Sequence, residues 1–194
     1  KVLIGAGGVA REIRAHMESF QMKCFVDDDY FRPNEDSIYQ LSNFDPSTME
    51  AIIAVGDPNQ KKAISKRMPV GTEYFSFIHP SAQLLGGDIV IGRGGFISAN
   101  CILTTNIRLG EHAYLNRSSM IGHDCLIGGF FTMSPGAVIS GNCNIGECVY
   151  VGANASLKEE VEVCSNVIIG LQAGVCHNIY ESGVYVGCPA KKIA

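Results

Sequence analysis

A large apolar residue returns every six positions through the middle and back of this chain. The series runs Leu85, Ile91, Ile97, Leu103, Leu109, Leu115, Ile121 and Ile127, then Met133, Ile139, Ile145, Val151, Leu157, Val163, Ile169 and Val175, sixteen positions in all. A period of six does not match the 3.6 of an α-helix, and the frequent Gly and β-branched residues oppose a helix as well. It matches a coil with three flat faces. Each face is a short strand whose alternation points the apolar residue, and the residue two before it, into the core. The residue two before is small or apolar, as at Cys101, Ala113, Cys125, Ala137, Cys143, Val149 and Ala155. The residue after is Gly at eight of the sixteen positions (86, 92, 110, 122, 128, 146, 152 and 170). Such residues suit a corner, where the backbone needs conformational freedom. Three hexads make one coil, and a coil can bury its apolar side only by stacking on its neighbours. The pattern predicts a left-handed parallel β-helix over 85–175, with no insertion in its register.

The front of the chain, 1–76, is patterned differently. KVLIG at 1–5 reads as a short buried strand, and Gly5, Gly7 and Ala10 follow as G-x-G-x-x-A. A helix is expected over 8–20, with Ile13 and Met17 on one side, and a second strand over 23–26 that ends at Asp27 and Asp28. A third strand over 51–55 leads to Gly56. Asp57 is then placed to cap, and Pro58 to open, a helix over 58–68. Residues 73–78 could add a fourth strand. The order is that of an α/β Rossmann-like half-domain. Glycines there let a phosphate approach a helix N-terminus, and the acidic pair can accept hydrogen bonds from a base or ribose. At this size the fold is half of a dinucleotide fold, so a mononucleotide or nucleotide-sugar suits it better than NAD. A strand–helix turn that binds nothing would use the same glycines.

Composition removes several classes of function. The net charge is −4 with no Lys/Arg run, so a nucleic-acid surface is not expected. No apolar run reaches the roughly 18 residues of a membrane span. No leader peptide is read at the start. The eight cysteines include no C-x-x-C pair, and reduced, packed thiols in a cytoplasmic protein are expected.

His123 lies two positions after Ile121, at a prism corner, and Asp124 follows it. An imidazole can take a proton near neutral pH, and an adjacent carboxylate can orient it and stabilise the imidazolium. His16, His79, His112 and His177 are expected in surface or local structural roles.

The hexads resemble those of the hexapeptide-repeat acyltransferases. The segment NRSSMIGHDCLIG at 116–128 and the ending GVYVGCPAK at 183–191 narrow the resemblance. They are similar to a subgroup that joins a small Rossmann-like domain to the β-helix, including sialic acid O-acetyltransferases and bacillosamine N-acetyltransferases. The resemblance implies a homotrimer with active sites between subunits. It also implies transfer of an acetyl group from acetyl-CoA to a nucleotide-linked amino sugar, with a UDP- or dTDP-4-amino-4,6-dideoxy sugar the first choice. O-acetylation of sialic acid or another free sugar is the alternative. His123 and Asp124 match the family's base and helper. Gly7, Gly8, Asp27, Asp28 and Gly56 match its nucleotide-sugar site, and Thr132, Ala153 and Leu171 fall where it meets acetyl-CoA. Lys158, Lys191 or Lys192 could meet the CoA phosphates, although a solvated surface is an equal reading of each. Two positions depart from the bacillosamine enzymes: Val9 and Thr132 stand where those carry His.

Two other readings stay open on the residues. A metal hydratase on the same prism needs three converging His, and no His pair five apart is present. A non-catalytic nucleotide-sugar-binding protein would use the front domain alone. The expected domains are 1–76 for the nucleotide-sugar and 77–194 for the β-helix with its C-terminal tail.

Overall fold

The structure is a computed structural model, and it describes residues 1–17, 21–32 and 37–193. The front of the chain forms a parallel sheet of β1 (Val2–Ile4), β2 (Cys24–Val26), β3 (Ile38–Gln40), β4 (Glu50–Ile53) and β5 (Glu73–Tyr74), in the order β3-β2-β1-β4-β5. Helix α1 (Gly8–His16) follows β1, and α2 (Pro58–Arg67) follows β4. The last part of the helix expected over 8–20 lies outside the described residues at 18–20. β3 was not anticipated, because its three residues, Ile-Tyr-Gln, are too few to show a period. The strand expected over 73–78 is two strands. Glu73–Tyr74 pairs with β4, whereas Phe77–Ile78 pairs with Phe96–Ile97 of the prism.

Apart from a final antiparallel pair of Gly183–Val186 with Lys191–Lys192, the rest is a β-helix whose short strands stack in parallel into three faces. The first face carries Phe96–Ile97, Tyr114–Leu115, Thr132–Met133 and Tyr150–Val151. The second carries Ile102–Leu103, Met120–Ile121, Val138–Ile139 and Ser156–Leu157. The third carries Arg108–Leu109, Leu126–Ile127 and Asn144–Ile145. The inward pairs of successive hexads, from Cys101 with Leu103 to Ala173 with Val175, make one continuous core.

Two expectations change here. The register has an insertion after all: Leu84, not Leu85, pairs with Leu103, and Leu85 is exposed. One extra residue therefore lies between Leu84 and Ile91, in the first coil. The corner chemistry also differs. The left-handed backbone conformation recurs every six residues at Gly94, Asn100, Asn106, His112, Ser118, Asp124, Phe130, Gly136 and onward to Gln172. That position is three after each inward apolar residue, not one after it. Gly one after is selected by crowding instead. A Cβ at Gly110 would lie 2.4 Å from the backbone N of Gly129, and one at Gly122 would lie 2.7 Å from that of Gly141. The coils stack too closely there for a side chain.

The front domain docks on the first face. Leu3, Ala10, Ile13 and Phe75 share a hydrophobic cluster with Phe96 and Tyr114 of the prism. Polar ties surround the cluster. The Tyr114 hydroxyl donates to Glu12 at 2.9 Å, the His16 ring nitrogen meets the Ser98 hydroxyl at 3.0 Å, and Lys62 pairs with Glu147 at 2.5 Å.

Candidate active site

The front domain holds a cavity of about 730 Å³ at the C-terminal ends of β1, β2 and β4, the usual ligand position in an open parallel sheet. The turn after β1 and the turn after β4 form its walls. Gly5 is required by the chain itself: its φ is +112°, and a Cβ would lie 3.1 Å from the Ala54 carbonyl. Gly7, Gly8 and Gly56 are different. Nothing lies within 4 Å of a Cβ at Gly7, and the nearest atoms would be 3.9 Å away at Gly8 and 3.6 Å away at Gly56. The chain could accommodate side chains at these three positions, which all line the cavity. Their bareness leaves open backbone facing the space, as close approach of a ligand requires. Gly7 caps α1 without a side-chain hydrogen bond, and no acidic residue sits in the first turn, so the positive end of the helix stays free for an anion.

Asp27 closes the far side of the cavity and pairs with Arg67 of α2 at 2.8 Å. Asp28 does not line this cavity. It faces a smaller adjoining one of about 440 Å³, which shares Asp27, Leu41 and Arg67, and its carboxylate accepts from the Ser42 hydroxyl at 3.2 Å. Arg67 and Gln60 escaped the sequence reading. Both lie on α2, whose capping by Asp57 was readable: the Asp57 carboxylate accepts from the Gln60 N–H at 2.7 Å.

His123 and Asp124 sit together at the corner between the second and third faces. The His123 Nδ1 and an Asp124 oxygen are 2.7 Å apart, and the other oxygen accepts from the Asn106 amide at 2.6 Å. The hydrogen bond from Asn106, then that from His123, holds the Asp124 carboxyl below the usual carboxylate range. The His123 side chain remains 54% exposed, so the ring is oriented yet open to a substrate. Its Nε2 lies over Gly141, where a Cβ would come within 2.6 Å of it. Asn106 and Gly141 stand 18 residues either side of Asp124 and His123, directly below and above them. The coil length alone could have found both.

The other anticipated residues divide. Ala153 and Leu171 occupy successive turns of another corner, between the first and second faces, where the Gln172 N–H donates to the Ala153 carbonyl at 2.8 Å. Leu171 is exposed. Thr132 is not with them. It is buried on the first face under the front domain, and its hydroxyl donates to the Gly56 carbonyl at 2.7 Å. Lys158 pairs with Glu159 at 3.7 Å and Lys192 with Glu181 at 3.2 Å, both exposed, and Lys191 is exposed as well. His112 is buried in the corner under the front domain, stacked on Phe130 at 5.1 Å with the Tyr74 ring edge-on at 4.5 Å. Burial pushes its pKa down to about 4. At 1% exposure it is not open to a metal site shared with His123. Among the described residues no cluster of three or more His, Cys, Asp or Glu is placed to hold a metal ion. All eight cysteines are free thiols.

Residues 2–68 match the PglD N-terminal domain. The whole prism with its docked front domain superposes on a histidine-to-asparagine mutant of perosamine N-acetyltransferase from Caulobacter crescentus, solved in complex with CoA and GDP-perosamine. The TM-score is 0.89 at 20% identity, over 100% of this chain and 96% of that one. At this identity the likeness shows a shared fold. WeeI from Acinetobacter baumannii AYE has the same fold, with a TM-score of 0.85 at 23% identity over 98% of both chains. The GDP-perosamine N-acetyltransferase of Escherichia coli O157:H7 is 27% identical over 110 residues, 56% of this chain. The chain spans about half the length of that curated relative, 49%. Among the described residues no helix is long and apolar enough to cross a membrane.

Proposed function

We propose that this protein is an acetyl-CoA-dependent N-acetyltransferase acting on a nucleotide-linked amino sugar. The observation that carries the proposal is the His123–Asp124 pair, oriented at 2.7 Å and open to solvent, in a chain that also holds a glycine-walled cavity for the nucleotide. Asp124 accepts a hydrogen bond from the Nδ1–H, which leaves Nε2 free as the base. As the sugar amine attacks the thioester carbonyl carbon, Nε2 takes the amine proton. The tetrahedral intermediate then collapses, the carbon–sulfur bond breaks, and the imidazolium returns a proton to the departing CoA thiolate. The products are the N-acetylated sugar and free CoA.

His123 is at the corner opposite the first face, where this chain's own cavity lies. That separation supports a site shared between copies, with one subunit's His123 facing another's cavity, and a homotrimer is the assembly that would serve it. Ala153 and Leu171 mark the groove proposed for acetyl-CoA. Gly7, Gly8, Asp27, Asp28 and Gly56 are proposed to hold the nucleotide sugar, within a front domain of 1–76 and a β-helix domain of 77–194. The perosamine relatives add GDP to UDP and dTDP as candidate carriers. The cavity disfavours a free sugar acid such as sialic acid. Among its described lining residues Arg67 is the one cation, and Asp27 already pairs with it. The cysteine pattern, eight residues with no C-x-x-C pair, suits reduced thiols and supports a cytoplasmic location.

The test is thiol release from acetyl-CoA across a panel of UDP-, dTDP- and GDP-linked amino sugars. Turnover is expected with at least one of them, and His123→Ala should slow it by about 10²–10⁴-fold. A protein that binds a nucleotide sugar in calorimetry but releases no thiol would be a binding protein instead, and the proposal would fail.

A further inference from the structure

Two ties from the prism converge on one short piece of the front domain. The Thr132 hydroxyl donates to the carbonyl of Gly56 at 2.7 Å. Lys61, one turn into α2, sends its ammonium to the carbonyls of His112 and Phe131, at 2.9 Å each. Lys61 is 1% exposed, the most deeply buried charge among the described residues. Phe131 immediately precedes Thr132, which opens the strand Thr132–Met133 of the first face, and His112 belongs to the coil before. The prism therefore grips residues 56–61 from two adjacent coils. The opposite side of that piece is the cavity wall, lined by Gly56, Gln60, Ala63, Ile64 and Arg67. Val9 closes the stack, because its Cγ2 is the first atom a Cβ at Gly56 would meet, at 3.6 Å. The two positions that depart from the bacillosamine enzymes are thus linked through Gly56.

We infer that Thr132 and Lys61 are positioning residues for the acceptor: they hold the Gly56 wall in register on the prism, and Thr132 makes no contact with acetyl-CoA. The inference rests on the proposed function for its consequence in turnover. The physical reason is geometric. The amine must meet an imidazole on another face or another copy, so its placement depends on how the front domain sits on the prism. A displacement of about 1 Å can cost about 10²-fold in rate. A hydroxyl spent on a backbone carbonyl and shielded from solvent has little left to offer an acetyl group.

The experiment compares Thr132→Val with Thr132→Ser, and adds Lys61→Met as a second perturbation of the same wall. Two readouts are taken: steady-state kinetics varying each substrate, and amide hydrogen exchange of 54–61 in the free protein. In Thr132→Val, exchange over 56–61 should accelerate. The kcat/KM for the amino sugar should fall about tenfold while the KM for acetyl-CoA stays unmoved. Thr132→Ser, which keeps the hydroxyl, should restore both. Lys61→Met should change the same readouts in the same direction. A raised KM for acetyl-CoA with unchanged sugar kinetics would overturn the inference, and so would unchanged exchange over 56–61. If the unaltered protein shows no turnover with any sugar, the proposed function fails, and the exchange measurement still decides whether these residues hold the wall.

Discussion

Replacing His112 with Phe should remove most of the acid sensitivity of folding that this residue creates. His112 is 1% exposed, and neither ring nitrogen has a hydrogen-bond partner among the described residues. Burial, the largest cause, carries its pKa from the ordinary 6.5 down to about 4. The unfolded chain therefore takes up this proton first as pH falls. The contribution to stability is whole above pH 6.5, declines through the window down to about pH 4, and changes no further below it. At about 1.4 kcal/mol per pH unit, the full difference is roughly 3 kcal/mol, of which about 2 kcal/mol is lost between pH 7.5 and pH 5. Phe suits the site. Phe130 occupies the same corner one coil further on with a φ of 57°, against 56° for His112. The assay is denaturant unfolding of both proteins at the two pH values and one protomer concentration, since association shifts apparent stability. His16, the carboxylates and Lys61, whose pKa burial pushes down to about 7, titrate in both proteins and cancel to first order in the comparison. The unaltered protein should lose about 2 kcal/mol more than His112→Phe on going to pH 5. Equal losses would refute the reasoning, because the buried imidazole would then carry no cost of protonation.

Two further perturbations address the proposed base. Gly141→Ala places a Cβ 2.6 Å from the His123 Nε2, so the ring must leave its seat; kcat should fall about 10²-fold with thermal stability little changed, and undiminished kcat would show that the seat is immaterial. Asp124→Asn should fold normally, since Asn142, one coil further along the same corner, shares its φ of 59°. It should lower kcat by about 10²-fold. The carboxyl is held low by the hydrogen bond from Asn106 and then by that from His123, so it is ionised near neutral pH. The pH–rate profile of the variant should drop as a whole, and a shifted acid limb at full height would contradict this assignment.

Much of the architecture was readable from residues alone because period six is a strong signal. A coil must repeat its inward pair wherever it stacks, so Cys101 with Leu103 and Ala137 with Ile139 announce themselves. The corner position of His123 and Asp124 was readable for the same reason, whereas their role as base and helper came from the resemblance of the segment 116–128. The glycine turn, Asp27 and the Asp57 cap were legible as local chemistry, which acts over a few residues. What stayed hidden depends on contacts across the chain or on short segments. β3 has three residues and no period of its own. The slip between Leu84 and Leu85 shows only when Leu84 is seen to pair with Leu103, because both leucines fit an apolar pattern.

The sequence by itself determined that this chain stacks hexads into a three-faced prism behind a small α/β domain, since no other arrangement buries an apolar residue every six positions. It also determined which residues could act as base and helper. The tertiary structure decided where they are. It set the front domain on the first face and His123 at the opposite corner, a relation no periodicity encodes. It gave the Thr132 hydroxyl the Gly56 carbonyl as a partner, because docking buries the first face. It showed, too, that where Gly does follow an inward residue it does so for lack of room rather than for its torsion freedom. The spacing between coils is a property of the stack, and no single hexad contains it.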